Sequence, residues 1–236
     1  MNCIVLDQGN TSLKWGLFKE GVLDESGRIS DSSLDVGLLQ LRENHDLPFY
    51  FSSVRSEGDQ NEFLNRFSFC KVIPTENFPS SNYSSGAAGK DRLANVAGTS
   101  KIFDGAACLI IDLGTCITYS IAKNNELYSG VISLGAHARL RGMHEFTGQL
   151  PMLALSEITA PFQNSTAGAM LSSVNFGILF ELKGFIEVAM MEFPGIQIVF
   201  TGTDAVHFAK QLNYRIFVEL NLTLIGLYAI SCANEV

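Results

Sequence analysis

CIVLDQGNTSLKWGLF, residues 3–18, and CLIIDLGTCITYSIAK, residues 108–123, are two versions of one pattern. Each runs Cys, three aliphatic residues, Asp, any residue, Gly, and a Thr one or two positions later. Each then enters a second strand-like run. Asp7 and Asp112 open the two halves of a 236-residue chain, so the repeat reads as a duplicated unit with two hairpins facing each other across a cleft. A glycine in a tight hairpin turn lets backbone N–H groups approach a ligand closely. Thr and Asn add short donors, and the whole makes a concave seat for phosphate oxygens. The aspartate at the strand end would repel phosphate unless a cation stood between them. The pair of turns therefore reads as a phosphate–Mg²⁺ site. The same residues also make an ordinary hairpin turn, and the repetition is what favours the ligand.

Composition sets the limits. Apolar residues make up 47% and charged residues 17%, which suits a folded globular chain. A formal net charge of −8 argues against nucleic acid as the main partner. Met1-Asn2 lacks the cationic start of a signal peptide. The greasiest stretch, Leu222 to Ala233, is too short for a membrane span and predicts a buried helix. No membrane partner is expected. The five cysteines form no CxxC pair, which fits reduced thiols in a cytoplasmic protein, with Cys3 and Cys108 as core hydrophobes.

Periodicity predicts strands at 2–7, 12–18, 49–54, 69–73, 107–112, 115–122, 127–132 and 197–201. It predicts helices at 35–44, 59–67, 91–102, 136–147, 166–192, 204–212 and 222–233. The mixture is α/β. Residues 79–89, PSSNYSSGAAG, read as a loop.

GAAGKDRLANVAG, residues 86–98, superficially resembles a P-loop. It fails, because Ser84 stands where the first glycine would be and Asp91 follows Lys90. Gly89 ends the loop and a helix starts near Asp91. An Asp there caps a helix, or, beside Arg92, serves as a catalytic carboxylate with a cationic neighbour. The histidines show no metal spacing, and no Gly-x-Ser-x-Gly elbow occurs. The Arg-Leu-Arg at 139–141 reads as the polar face of a helix.

Asp7-Gln8-Gly9-Asn10-Thr11, Gly89-Lys90-Asp91-Arg92 and Asp112-Leu113-Gly114-Thr115, in that order, together resemble the type III pantothenate kinases. So do GVISLG at 130–135, TGQLP at 147–151, STAGAM at 165–170 and TGTDA at 201–205. The resemblance spans nearly the whole chain. It implies an actin/hexokinase-like (ASKHA) fold with two ribonuclease-H-like halves carrying mixed sheets, residues 1–105 and 106–236. It implies ATP-dependent phosphorylation of pantothenate to 4′-phosphopantothenate, the first step of coenzyme A biosynthesis, in a cytoplasmic homodimer. It places Asp7, Gln8, Gly9, Asn10, Thr11, Ser12, Leu13 and Lys14 in the first phosphate loop, with Asp7 toward Mg²⁺. Thr115 would touch ATP, and Asp112 would hold a monovalent cation, K⁺ or NH₄⁺. Tyr83, Gly89, Lys90, Asp91, Arg92 and Thr166 would contact pantothenate, with Asp91 as the base.

The chain departs from the family pattern in four places. The family's Ser-Pro-Gly is Ser133-Leu134-Gly135, its Thr-Gly-Gly is Thr201-Gly202-Thr203, and its Gln-Ser-Gly is Leu171-Ser172-Ser173. The interval from Tyr83 to Gly89 is one residue short. A non-catalytic, transcription-linked relative on the same fold, or a kinase of the same fold acting on another small molecule, are the alternatives to pantothenate kinase. Retention of Asp7, Asp91 and Thr115 favours the enzyme.

Overall fold

The computed structural model describes residues 1–83 and 88–233. Residues 84–87 of the Ser/Gly loop, with the Ser84 of the P-loop comparison, lie outside the described residues. The elements fall into two runs. The first holds β1 (Cys3–Gln8), β2 (Ser12–Lys19), β3 (Val22–Ser30), α1 (Leu34–Asn44), β4 (Phe49–Ser53), α2 (Glu57–Arg66), β5 (Cys70–Val72) and α3 (Lys90–Phe103). The second holds β6 (Cys108–Leu113), β7 (Cys116–Lys123), β8 (Glu126–Leu134), α4 (Ala136–Glu145), α5 (Thr166–Glu192), β9 (Gln197–Thr201), α6 (Ala205–Ala209), β10 (Ile216–Val218) and α7 (Leu222–Cys232).

The sheets have one topology, β3-β2-β1-β4-β5 and β8-β7-β6-β9-β10. In each, an antiparallel hairpin supplies the central strand. A parallel neighbour, β4 or β9, then pairs with that strand from the other side. The ends of the central strand and its parallel neighbour thus emerge at the same sheet edge, where α/β proteins place ligands.

By contact the chain forms two units: residues 1–105, 123–128 and 221–236, and residues 106–122 and 129–220. In the first, Ile4, Leu6, Leu13 and Leu17 of the hairpin pack with Leu34, Leu38 and Leu41 of α1 and Phe63 of α2. All six residues of β1 are buried, as expected of a strand covered on both faces. α3 and α7 join the same unit, linked by a Thr223 hydroxyl that donates to Asn95 Oδ1 at 2.8 Å. In the second unit, Leu109, Ile111 and Leu113 of β6 pack against Val174, Ile178, Leu182 and Ile186 of the 27-residue α5.

Every helix expected from the sequence is present, with ends shifted by a few residues. Two strands were not expected. β3, VLDESGRIS, is an edge strand with one buried residue, so no apolar alternation marks it. β10 is three residues long. Leu222–Cys232 forms the expected buried helix. Among the described residues no helix is long and apolar enough to cross a membrane.

Candidate active site

In the first unit, β1 carries Asp7 and Gln8, both nearly inaccessible, to the sheet edge. Asp7 is in register with Lys14 on β2 and with Ser52 on β4. Cross-strand partners share a face, so the carboxylate and the ammonium stem stand side by side. Gln8 Oε1 accepts from the Ser53 hydroxyl at 2.9 Å. The turn is closed by Gly9 N–H donating to Ser12 O at 3.1 Å. Asn10 and Thr11 are exposed at its tip. Leu13 lies fully in the core, with no surface exposed.

One group in this region was missed from sequence. Arg55 Nε donates to Gly9 O at 2.8 Å, and the guanidinium also binds both carboxylate oxygens of Asp31, at 2.8 and 2.9 Å. Nothing local marks Arg55. It reaches the turn because it follows β4, the parallel neighbour of β1.

The start of α3 gathers the substrate block. Gly89 is its N-cap and has no side chain to cap with. Asp91 supplies the missing acceptor from within the first turn, taking the Arg92 N–H at 2.8 Å. Its carboxylate folds back over Gly89, where a Cβ would come within 2.5 Å of Oδ1. Arg92 is buried, 4% exposed, and its guanidinium lies 5.2 Å from the centre of the Tyr83 ring. Four of the six residues assigned to substrate, Tyr83, Gly89, Asp91 and Arg92, therefore adjoin one another, and Lys90 opens the helix they share. Both readings of Asp91 are compatible with this geometry: it caps the helix, and it presents a carboxylate beside an arginine.

In the second unit the turn after β6 is one residue shorter, closed by Gly114 N–H donating to Cys116 O at 3.0 Å. Thr115 is exposed at its tip. Asp112 is half-buried, and its Oδ1 lies against Gly202, whose φ of +92° requires glycine. A Cβ at Gly202 would sit 2.5 Å from both Asp112 Oδ1 and Leu113 O. The two oxygens, one from a carboxylate and one from a carbonyl, line a small cradle that any side chain at position 202 would fill. Among the described residues no three His, Cys, Asp or Glu side chains converge as metal ligands. Gly135 packs on the turn from the other side, its N–H donating to Thr115 O at 2.9 Å.

Three of the four departures from the family pattern fall on residues with described contacts, and the fourth, the interval from Tyr83 to Gly89, runs through positions 84–87, outside the described residues. Thr203 donates through Oγ1 to Leu113 O at 3.4 Å, so its extra side chain leans on the turn. Leu134 is exposed, and its carbonyl accepts from Arg139 Nε at 2.7 Å. Arg139 is thus no free helix face. It pairs with Glu181, which also accepts from Tyr119 and Ser133. Burial alone would raise the Glu181 carboxyl, but the hydrogen bonds from Ser133, Arg139 and Tyr119 outweigh it and hold the group below its ordinary value. Asp204, next to the cradle, is pushed up by burial against the pull of His137 and His207. Thr166 opens α5, exposed beside the N-cap Ser165, whose Oγ accepts from Gly168 N at 3.1 Å. Ser173 keeps its hydroxyl within that helix, on Met170 O at 2.8 Å.

Comparison with known proteins identifies the family and the fold. The family model for type III pantothenate kinases matches residues 3–188. The type III pantothenate kinase of Cytophaga hutchinsonii is 32% identical over 233 residues, covering 95% of this chain and 96% of that one. Among solved structures, a candidate Baf family transcriptional activator from Campylobacter jejuni superposes with a TM-score of 0.67 at 19% identity, covering 98% of each chain. MreB 5 of Spiroplasma citri bound to AMPPNP superposes with a TM-score of 0.51 at 9% identity, covering 99% of this chain and 97% of that one. The structural likenesses establish the actin/hexokinase-like fold, and the sequence matches establish the lineage: the chain belongs to the type III pantothenate kinase family.

Proposed function

We infer that this chain carries out its family's reaction with the residues gathered at the two turns and at the start of α3. As a type III pantothenate kinase it transfers the terminal phosphoryl group of ATP to pantothenate, giving 4′-phosphopantothenate, the first step toward coenzyme A. Asp91 orients the primary hydroxyl of pantothenate and accepts its proton as the P–O bond forms. Arg92 answers the substrate carboxylate with a planar donor fork. Tyr83 and Thr166 contact pantothenate, and Gly89 and Lys90 shape the approach. The turn at residues 7–14 donates main-chain N–H groups to the ATP phosphates, and Thr115 adds a contact from the second turn. The divalent ion that comes with ATP neutralises phosphate charge, with Asp7 as its protein ligand. Asp112 holds K⁺ or NH₄⁺. The active form is a homodimer in the cytoplasm, built on duplicated halves at 1–105 and 106–236.

The observation that carries this reading is the assembly at the start of α3. A carboxylate is fixed by a main-chain N–H over a glycine, next to a buried guanidinium stacked on Tyr83. A coupled ATPase assay with pantothenate, with and without K⁺ or NH₄⁺, tests it. The wild type turns over, fastest with the cation. Asp91→Asn loses about 10²- to 10⁴-fold in kcat while melting normally, since the amide oxygen still accepts the Arg92 N–H. A fully active Asp91→Asn enzyme removes the base assignment, and a wild type inert under every cation condition removes the reading.

A further inference from the structure

We propose that Arg55 is a positioning residue for the nucleotide, setting the direction of the main-chain N–H groups in the first phosphate turn. The proposal rests on the reading of that turn as an ATP phosphate site. Arg55 stands just beyond β4, and its own N–H donates to Ser53 Oγ at 3.1 Å. Ser53 in turn donates to Gln8 Oε1, and the Arg55 carbonyl accepts from Gln60 Nε2 at 2.7 Å. The residue is therefore anchored at its main chain before its side chain acts.

The side chain then holds two consecutive carbonyls of the turn, Gly9 O through Nε at 2.8 Å and Asn10 O through Nη2 at 3.5 Å. A trans peptide is planar, so its C=O and N–H point in opposite directions. Drawing Gly9 O toward Arg55 turns the Asn10 N–H away from it, and drawing Asn10 O the same way turns the Thr11 N–H away. These two amides come from the exposed tip of the turn, where a phosphate oxygen needs donors already aimed. Asp31 grips the same guanidinium, both its oxygens on Nη2, and holds that end of the side chain in place beside the turn. The guanidinium serves the two carbonyls and the carboxylate from two separate nitrogens, Nε and Nη2, whereas a lysine carries all its donors on one. The ligand class is a phosphate tail on any nucleoside.

Calorimetric titration of the full chain with Mg²⁺ and a non-hydrolysable ATP analogue, set beside competition by adenosine, tests this. Arg55→Ala weakens the triphosphate by about tenfold or more and leaves adenosine unchanged. Arg55→Lys and Asp31→Asn fall between Arg55→Ala and wild type. In steady state the loss appears in the KM for ATP, with the KM for pantothenate unmoved. Equal losses for adenosine and the triphosphate would reduce Arg55 to a structural brace and overturn the proposal, as would wild-type binding by Arg55→Ala. If Arg55→Ala does not fold, Asp31→Asn decides by the same criteria. A wild type that binds no triphosphate overturns the phosphate turn itself. One that binds it but leaves pantothenate unphosphorylated overturns the substrate assignment and leaves Arg55 in place.

Discussion

The turn after β1 and the turn after β6 carry the same Asp-x-Gly and Thr, yet they are fixed by different means. In both, the carbonyl following the aspartate is held by the loop beyond the parallel neighbour strand. Gln8 O accepts from Val54 N at 3.2 Å, and Leu113 O accepts from Asp204 N at 3.0 Å. From there they diverge. The first turn has an extra residue and is gripped by a side chain, Arg55, backed by Asp31. The second is packed by main chain, with Gly202 against Leu113 and Gly135 against Gly114 and Thr115. Its arginine–carboxylate pair, Arg139 with Glu181, acts one residue removed, on Leu134 O. A repeated motif keeps its Asp-x-Gly and Thr, and its support can be rebuilt from whatever chemistry the neighbouring loop offers.

The difference predicts unequal tolerance of small changes. A Cβ at Gly135 would stand 2.0 Å from Gly114 O and 2.9 Å from Thr115 O, so backbone must move. Gly135→Ala is expected to destabilise the protein by about 3 kcal/mol or more, read as a drop in denaturant midpoint at constant slope. By contrast, Gly9→Ala, within the first turn itself, meets only Ser12 O at an ordinary 3.5 Å. It should shift stability by less than about 1 kcal/mol and instead raise the KM for ATP, because the new methyl projects from the donor surface. Equal destabilisation by the two would erase the contrast.

A smaller effect sharpens it. Asp204 has its carboxyl raised by burial, with His137 and His207 opposing. A carboxyl raised in the folded state takes up protons on folding, so it favours the fold at low pH and disfavours it as pH rises through the folded value. Asp204→Asn should therefore raise the melting temperature at pH 7, and the gain should shrink as pH falls toward the ordinary 3.8. A gain that grows on acidification would reverse the sign of the burial argument. Smallest of all is Thr203→Gly, which restores the family's residue. The 3.4 Å bond to Leu113 O is long, and the change should cost under about 1 kcal/mol in thermal unfolding.

Much of this was legible in the sequence because local pattern and local structure coincide. β1 and β6 are continuous apolar runs ending on Asp, and α3 begins where Gly89 gives way to Lys90 and Asp91. The family resemblance assigned Tyr83 and Arg92 to the same substrate, but their contact across eight intervening positions had no signal in the sequence. Arg55 and the Gly202–Asp204 support were illegible as supports for a different reason. Each acts on a turn that is distant in sequence, and only the parallel pairing of β1 with β4 and of β6 with β9 brings it there. β3 escaped notice because an edge strand facing solvent needs no alternation. Arg139 looked like helix surface until Glu181, on another helix, accounted for it.

The most direct test is an amide NMR titration of the wild-type chain with Mg²⁺ and a non-hydrolysable ATP analogue. The account predicts that the N–H signals of Asn10, Thr11 and Thr115 move downfield and saturate together at one nucleotide concentration, as expected of donors bound to phosphate oxygens. Signals at both turns that stay in place while the analogue binds elsewhere would contradict it.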